Sequence, residues 1–359
     1  MSAPPWSKEL LRKSDLITPM AIRVAATLRL SDHMAAGAVT VDALAHRAHA
    51  DPDALRRLLG HLVTAGLYRE LPEGGYEPTG LGDLLRGDAQ GSGRDWLGLD
   101  GPTGRGELAF FRLLDAVRTG TPVYADLYGR DFWADVEADP AAAESFGRRM
   151  AASMDWVTPA LLAQGDWQGV RHVVDVGGGS GALLAAVIAA APGARGTLVD
   201  LEGPAGAAES DFAAAGLRER CRAVVGSFFE PLPPGADVYL LANVLLNWPD
   251  EEAGTILRRC AEAVAPDGRV MVVEGLLDLQ TDQTDLDLRM LVYLGGQMRT
   301  TGRLRELGAA AGLALRRVTS LGPVRSLAEF TRARAAAHRA PPPPSSHPPP
   351  PSTAPPAAT

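Results

Sequence analysis

The sequence predicts an α/β fold, a doubly wound parallel sheet preceded by a mainly α N-terminal unit. Three observations predict it. From residue 170 onward apolar, β-branched runs alternate with segments of helical length. Residues 173–181 read Val-Val-Asp-Val-Gly-Gly-Gly-Ser-Gly, a buried strand running into a turn with four glycines. The first hundred residues show helical spacing, relieved only by one short extended pair. Strands alternating with helices build a parallel sheet covered on both faces.

In chain order, residues 14–36 carry apolar positions at helical spacing, and TVDALAHRA opens another helix with Thr40 as its cap. DPDALRRLLGHLVTAGLYREL and GGYEPTGLGDLLR follow as a helix, an extended pair with a glycine turn, and a further helix. That order resembles a winged helix-turn-helix. A DNA-binding reading would use Arg56, Arg57 and His61. A packing or dimerisation module is the better reading, because the chain is acidic, with net charge −8, and lacks a concentrated basic stripe.

Residues 105–164 read as mostly helical, and their Phe110, Phe111, Phe132, Trp133, Phe146, Met150, Met154 and Trp156 are expected to be core or the wall of an apolar pocket. Next come the strands HVVDV, GTLVDL, RAVVG, ADVYLL, RVMVVE, LALRRVTS and SLAEFT. Between them, residues 250–265 are written as an amphipathic helix: Asp250, Glu251 and Glu252 suit its positive end, and Ala253, Ile256, Leu257, Cys260, Ala261 and Val264 make one stripe. Beyond residue 336 the chain is too rich in proline to form a core, and an extended, disordered tail is expected there, with His347 incidental.

At 359 residues about two domains are expected. The two cysteines, Cys221 and Cys260, encode neither a disulfide framework nor a metal site, and the N-terminus has no apolar core of signal-peptide type. No stretch approaches the length of a membrane span. A cytoplasmic protein binding neither nucleic acid nor membrane, with no metal, is expected.

The glycine turn falls where open α/β sheets bind ligands, outside the carboxyl ends of the strands. Gly177-x-Gly179-x-x-Ala182, with Asp200 about 20 residues on, satisfies a dinucleotide fingerprint. The rival is S-adenosylmethionine, whose turn begins with an acidic residue. Asp175 favours it, since a carboxylate suits a cationic ligand and a dinucleotide turn carries an apolar residue there.

Further motifs follow in order: LVDLEGP, VGSFFEPLP, NVLLNWPDEE, VVEGLLD and DLRMLVYLGGQMRT. With DVGGGSG they resemble the S-adenosylmethionine-dependent O-methyltransferases of plant phenylpropanoid and bacterial aromatic polyketide pathways, over residues 15–335. The resemblance implies a Rossmann-like methyltransferase domain behind a winged-helix-like dimerisation domain. It divides the chain at 1–100 (dimerisation), 101–165 (helical pocket layer), 166–335 (cofactor-binding catalytic domain) and 336–359 (tail). It implies a cofactor site of Asp175, Gly177, Gly179, Asp200, Leu201, Ser227, Phe228, Asn243 and Trp248, with Gly177 near the methionine end, Asp200 on the ribose and Trp248 beside the adenine. It also implies a homodimer acting on an aromatic small molecule, free or tethered to a carrier protein.

Three positions depart from the family pattern. The catalytic His of its His-Asp-Trp tract is Leu246 here, followed by Asn247-Trp248; an acidic residue that orients that His is Met298, while a second survives as Glu274; and Gly-Asp on the adenine side is Gly226-Ser227. The Leu-Leu-Asn-Trp form resembles enzymes of aromatic polyketides, among which some methylate and one hydroxylates. Asn243, Asn247 and Glu274 are therefore the candidates for catalytic roles, with Asn247 otherwise a helix cap. Met150, Met154, Asp155, Arg289, Met290, Tyr293 and Met298 are the candidates for substrate binding. Asp155 is considered as a replacement base and Arg289 as an anchor for an acidic or carbonyl group. The expected reaction is methyl transfer to a phenolic hydroxyl of an aromatic polyketide or aryl acid, with hydroxylation or decarboxylation the alternative.

Overall fold

The computed structural model describes residues 5–89 and 92–333; the proline-rich segment and His347 lie outside the described residues. A small hairpin, β1 (Tyr68–Glu70) and β2 (Tyr76–Pro78), belongs to the N-terminal unit. The central sheet contains β3 (His172–Val176), β4 (Arg195–Asp200), β5 (Cys221–Val225), β6 (Val238–Ala242), β7 (Arg269–Glu274), β8 (Leu313–Ser320) and β9 (Ser326–Arg332). Their order is β5-β4-β3-β6-β7-β9-β8.

Successive side chains of a strand point to opposite faces, so a run buried throughout requires cover on both sides. Val173 and Val174 on β3 are both fully buried, and they enter different cores. Val174 packs with Tyr239, Val272 and the stripe Ile256, Leu257 and Cys260 of the helix Asp250–Ala263. Val173 packs with Leu240, Met271 and the helix Ala182–Ala190 through Leu184, Val187 and Ile188. The chain steps outward from β3 to β4 and β5, then returns to place β6 on the other flank of β3. That reversal is the topological switch point, and the glycine turn issues from β3 beside it.

The all-parallel expectation needs one correction. β9 runs antiparallel to both β7 and β8, with Glu274 opposite Ser326. Only residues 321–325 join β8 to β9, whereas a parallel pair needs a crossover of a dozen or more. The geometry brings Arg325 to the same sheet edge as Glu274.

The N-terminal core gathers Ala25, Leu30, Leu44, Leu59, Leu62 and Tyr68. Thr40 caps its helix, accepting from Ala43 N at 3.3 Å, as the sequence predicts. Residues 14–36 do not make one helix: the chain breaks at Arg29, whose φ of 53° is left-handed, separating Ile17–Thr27 from Leu30–Ala35. Arg56 and Arg57 are exposed, Arg56 paired with Asp53, while His61 shares a 3.0 Å hydrogen bond with Thr18 Oγ1.

Between the two units, helices including Pro102–Ala109, Phe132–Glu137 and Pro140–Met154 form a layer. Its aromatic cluster of Tyr124 and Phe132 closes on Val292 and Tyr293 of the helix Thr284–Tyr293. Phe132 and Met154 are buried as expected, but Phe111 and Trp156 are exposed. Among the described residues no helix is long and apolar enough to cross a membrane, and no group of His, Cys, Asp and Glu could hold a metal ion.

Candidate active site

The site is built at the carboxyl edge of the sheet from the turns after β3, β4, β5, β6 and β7. In the first, Gly177, Gly179 and Gly181 have φ of 71°, 60° and 78°, conformations costly for any residue with a Cβ. A Cβ on Gly177 would lie 3.0 Å from Val244 Cγ2, and one on Gly178 only 2.5 Å from Asp175 Oδ2, whereas Gly179 opens onto free space. The backbone there is bare on one side and tightly backed on the other, as a ligand cradle requires.

Asp200, at the end of β4, fixes this turn by accepting from Gly179 N and Leu201 N, each at 2.8 Å. Burial nevertheless pushes its pKa up, against those two N–H donors. Asp175 lies beneath the glycines, 1% exposed, with no hydrogen-bond partner on either carboxylate oxygen. Burial, then the charge of Asp200, pushes its pKa up to about 7. Two orphaned buried oxygens under a glycine cradle fit a cationic ligand and repel an anionic one, because an unpartnered carboxylate needs a counter-charge. A pyrophosphate would bring the wrong sign. The residues of this turn thus fit S-adenosylmethionine rather than a dinucleotide.

Phe228 and Phe229, after β5, pack edge to face with Trp248, which comes from the turn after β6; the Phe228–Trp248 ring centroids are 5.8 Å apart and the Phe229–Trp248 centroids 4.9 Å. Ser227 Oγ accepts from Phe229 N at 3.2 Å, which ties its hydroxyl to the turn. Leu201 is half exposed beside Asp200. Leu201, Ser227 and Phe228 follow β4 and β5, on one flank of the glycine turn.

On the other flank, β6 ends in Asn243, whose φ of 55° is left-handed, a conformation Asn tolerates better than most side chains. Its Oδ1 accepts from Arg325 Nε at 2.8 Å and its Nδ2 donates to Met154 Sδ at 3.3 Å. Asn247 is not a helix cap: Pro249 takes that position, and Asn247 Nδ2 donates back to Asn243 O at 2.9 Å. Leu246 is buried, and its N–H donates to Glu274 Oε2 at 3.1 Å. Glu274 is itself buried, with Oε1 unpartnered; burial pushes its pKa up to about 7 despite the charge of Arg299 and the Leu246 N–H.

The substrate-side expectations divide. Met154 reaches Asn243, and Met298 lies across Gly275, where a Cβ would come 2.5 Å from its Cε. Met290 is buried and Met150 half-buried. Two expectations need correction. Asp155 is exposed and makes no side-chain hydrogen bond or ion pair to a described residue, so no neighbour shapes it into a base. Arg289 is drawn away from the pocket: Nε donates to Glu107 Oε1 at 2.7 Å and Nη1 to Asp285 Oδ2 at 2.5 Å. Tyr293 follows it, its hydroxyl donating to the same Glu107 oxygen at 2.7 Å. Glu107 also accepts from Arg23 Nη2 at 2.6 Å, so one carboxylate joins three parts of the chain.

Residues 110–314 match the O-methyltransferase domain and residues 13–88 the O-methyltransferase dimerisation domain. The chain belongs to the O-methyltransferase family. It is 49% identical over 313 residues to aclacinomycin 10-hydroxylase RdmB of Streptomyces purpurascens, spanning 84% of this chain and 82% of that one. It is 46% identical over 318 residues to 2,7-dihydroxy-5-methyl-1-naphthoate 7-O-methyltransferase of Streptomyces carzinostaticus, spanning 89% and 96%. Among solved structures it is similar to the neocarzinostatin O-methyltransferase NcsB1 in complex with S-adenosylmethionine and 2-hydroxy-5-methyl naphthoic acid. That likeness has a TM-score of 0.85 and 46% identity, covering 90% of this chain and 98% of that one.

Within this O-methyltransferase, three functional arginines and glutamates escape sequence reasoning. Arg299, fully buried, donates to Leu245 O at 2.8 Å and Trp248 O at 2.7 Å and pairs with Asp250 at 2.7 Å, holding the turn that carries Leu246 and Asn247. Arg325 holds the Asn243 amide, and Glu107 neutralises Arg289. Their partners lie 82 and 182 positions away, for Arg325 and Arg289 respectively, beyond any local pattern.

The two carboxyls pushed up to about 7, Asp175 and Glu274, give a pH dependence of definite sign. Free carboxyls titrate near about 4. Between about 4 and about 7 the folded protein holds protons on Asp175 and Glu274 that the unfolded chain has released, so these groups lower stability as pH rises through that window. The penalty is complete above the folded pKa and absent below the unfolded one. Asp175→Asn and Glu274→Gln are each expected to flatten this decline in urea unfolding of the ligand-free protein. A wild-type-minus-variant difference that stays constant from about pH 4 to 8 would show the carboxyls are not perturbed.

Proposed function

We propose that this protein transfers a methyl group from S-adenosylmethionine to a phenolic hydroxyl of an aromatic polyketide or aryl acid. The observation that carries the reading is Asp175, an unpartnered buried carboxylate under a bare glycine turn, in a chain similar to a naphthoate O-methyltransferase. Gly177, Gly179, Asp175 and Asp200, with Leu201, Ser227, Phe228, Asn243 and Trp248, hold the cofactor. S-adenosylmethionine, when bound, supplies a methyl group made electrophilic by a positively charged sulfur.

The chain's own residues then orient rather than deprotonate. A phenol with pKa near about 10 is seldom ionised at neutral pH, and a general base contributes roughly 10²- to 10⁴-fold where one exists. Leu246 can accept no proton. Glu274 acts on the backbone of Leu246, and Asn247 on the carbonyl of Asn243, so both set the position of the turn. Asn243 offers an N–H at the acceptor side, and Met150, Met154, Met290 and Met298 line the acceptor's apolar body. Fixing the reactants at contact distance supplies much of the rate, and the phenolic proton leaves to water.

Incubation with S-adenosylmethionine and a panel of hydroxynaphthoates is expected to yield methyl ether and S-adenosylhomocysteine in equal amounts. Cofactor binding without any methylated product would defeat the reading. Hydroxylation is the second reading, favoured by Leu246 and by the 49% identity to a 10-hydroxylase. Oxygen-dependent product without S-adenosylhomocysteine would select it.

The reading extends to organisation. Residues 1–100, 101–165 and 166–335 act as dimerisation unit, pocket layer and catalytic domain. Exposed Leu10, Leu11, Leu16 and Ile17 on and between the first two helices, within or beside the matched dimerisation domain, support a homodimer. Two buried free thiols, Cys221 and Cys260, suit the reducing cytoplasm.

A further inference from the structure

We propose that Arg325 is a specificity-determining residue that receives an anionic oxygen of the acceptor, a carboxylate carried on the aromatic ring, and so selects acidic acceptors over neutral ones. This rests on the methyl-transfer reading of the same site. The other arginines at this edge of the sheet have counter-charges. Arg289 is neutralised by Glu107 and Asp285, Arg299 by Asp250, and Arg303 by Asp250 and Glu306. Arg325 forms no ion pair with any carboxylate among the described residues.

Its position follows from the antiparallel end of the sheet. Arg325 precedes β9, whose first residue Ser326 pairs with Glu274 at the end of β7. From there the side chain reaches across to Asn243 at the end of β6, beside Met154. Nε donates to Asn243 Oδ1 at 2.8 Å, and Nη1 donates to Val324 O at 2.8 Å and Gln283 Oε1 at 3.2 Å. Nη2 has no hydrogen bond to a described residue. Three donors of the fork are therefore fixed by neutral oxygens, which orient the plane without cancelling its charge.

A partly buried guanidinium without a counter-ion is costly, and burial lowers its pKa, with Glu274 giving only partial relief. A carboxylate is the group that a planar guanidinium matches in shape and charge. The same acceptor group would also meet the Asn243 N–H side of the pocket. Arg289 cannot serve, because its charge is already balanced. The rival account is that Arg325 merely braces Asn243, and it makes a different prediction: acidic and neutral acceptors would then lose affinity alike.

The test measures binding of a hydroxynaphthoate and its methyl ester to the full chain loaded with S-adenosylhomocysteine, by calorimetry, alongside kcat and KM. Wild type is expected to bind the acid at least roughly 10-fold more tightly than the ester, the scale of one charge-assisted hydrogen bond. Arg325→Gln is expected to weaken the acid roughly 10- to 100-fold and the ester at least roughly 10-fold less than the acid, the ester's smaller loss being that of the Asn243 brace. Arg325→Lys retains the charge and part of the preference. Asn243→Asp, which gives Arg325 an internal partner, is expected to abolish the preference even if Arg325→Gln folds poorly. Equal losses for acid and ester, or a wild type that does not prefer the acid, overturn the proposal. Preferential binding of the acid without methylated product would fault the methyl-transfer reading and leave Arg325's role standing.

Discussion

Arg299→Met is expected to lower the unfolding free energy by about 3–5 kcal/mol, the cost of breaking a buried ion pair by removing one partner. Arg299 is completely buried, and its guanidinium reaches Asp250, Leu245 O, Trp248 O and, more distantly, Gln297 O. Methionine fills much of the volume but leaves the carbonyl of Trp248 without a donor, at about 1–3 kcal/mol when desolvated, and leaves Leu245 O with only the Trp248 N–H at 3.1 Å. Asp250 keeps Arg303, which moderates the loss on that side. The turn 245–248 hangs on these bonds, so cofactor affinity should fall with stability. Urea unfolding and a fluorescence titration with S-adenosylhomocysteine measure both; a loss below about 1 kcal/mol would mean the guanidinium is not what holds the turn. Arg299→Lys should fall between, since an ammonium cannot satisfy a fork of partners on different sides.

Gly296→Ala is expected to cut kcat/KM about 100-fold, the effect of a displacement near 1 Å in a positioned site. A Cβ there would stand 2.3 Å from Leu246 O, 2.4 Å from Asn247 C and 2.6 Å from Asn247 O. All three are backbone atoms, so relief cannot come from swinging a side chain aside. The segment carrying Leu246 and Asn247 must move, and with it the Glu274 contact to Leu246 N and the Asn247 contact to Asn243 O. Gly302→Ala is the control: its Cβ would meet only Thr300 Oγ1 at 3.7 Å, and helix propensity there favours alanine. Wild-type kinetics for Gly296→Ala would show that the two segments do not press on one another.

What could be read in the sequence was local. Strand alternation, the glycine turn, Asp175, the Thr40 cap and the stripe of the helix Asp250–Ala263 each depend on neighbours a few positions apart, and each appears in the structure. The reversed β9 was also within reach, because five residues cannot make a crossover. Arg29 gave no warning: nothing in Leu28-Arg29 signals a left-handed residue, and the Leu30 that follows it is fully buried in the N-terminal core. Half of the Arg289 account was readable, since Asp285 stands four positions earlier on the same helix. The other half was not, because Glu107 arrives from a distant helix. Arg299 was visible as a residue in the tract DLRMLVYLGGQMRT, but its role depends on carbonyls supplied by another loop.

Glu107 stands between Arg23 of the N-terminal unit and Arg289 with Tyr293 of the catalytic unit. Sharing one counter-charge makes positions 23, 107 and 289 a single mutational unit. A neutral residue at 107 leaves Arg23 without its counter-charge and Arg289 with Asp285 alone, whereas the same change made alongside losses at 23 and 289 removes the imbalance it creates. Their effects will therefore not sum. Anyone reshaping the pocket wall of this enzyme must redesign its N-terminal unit in the same step.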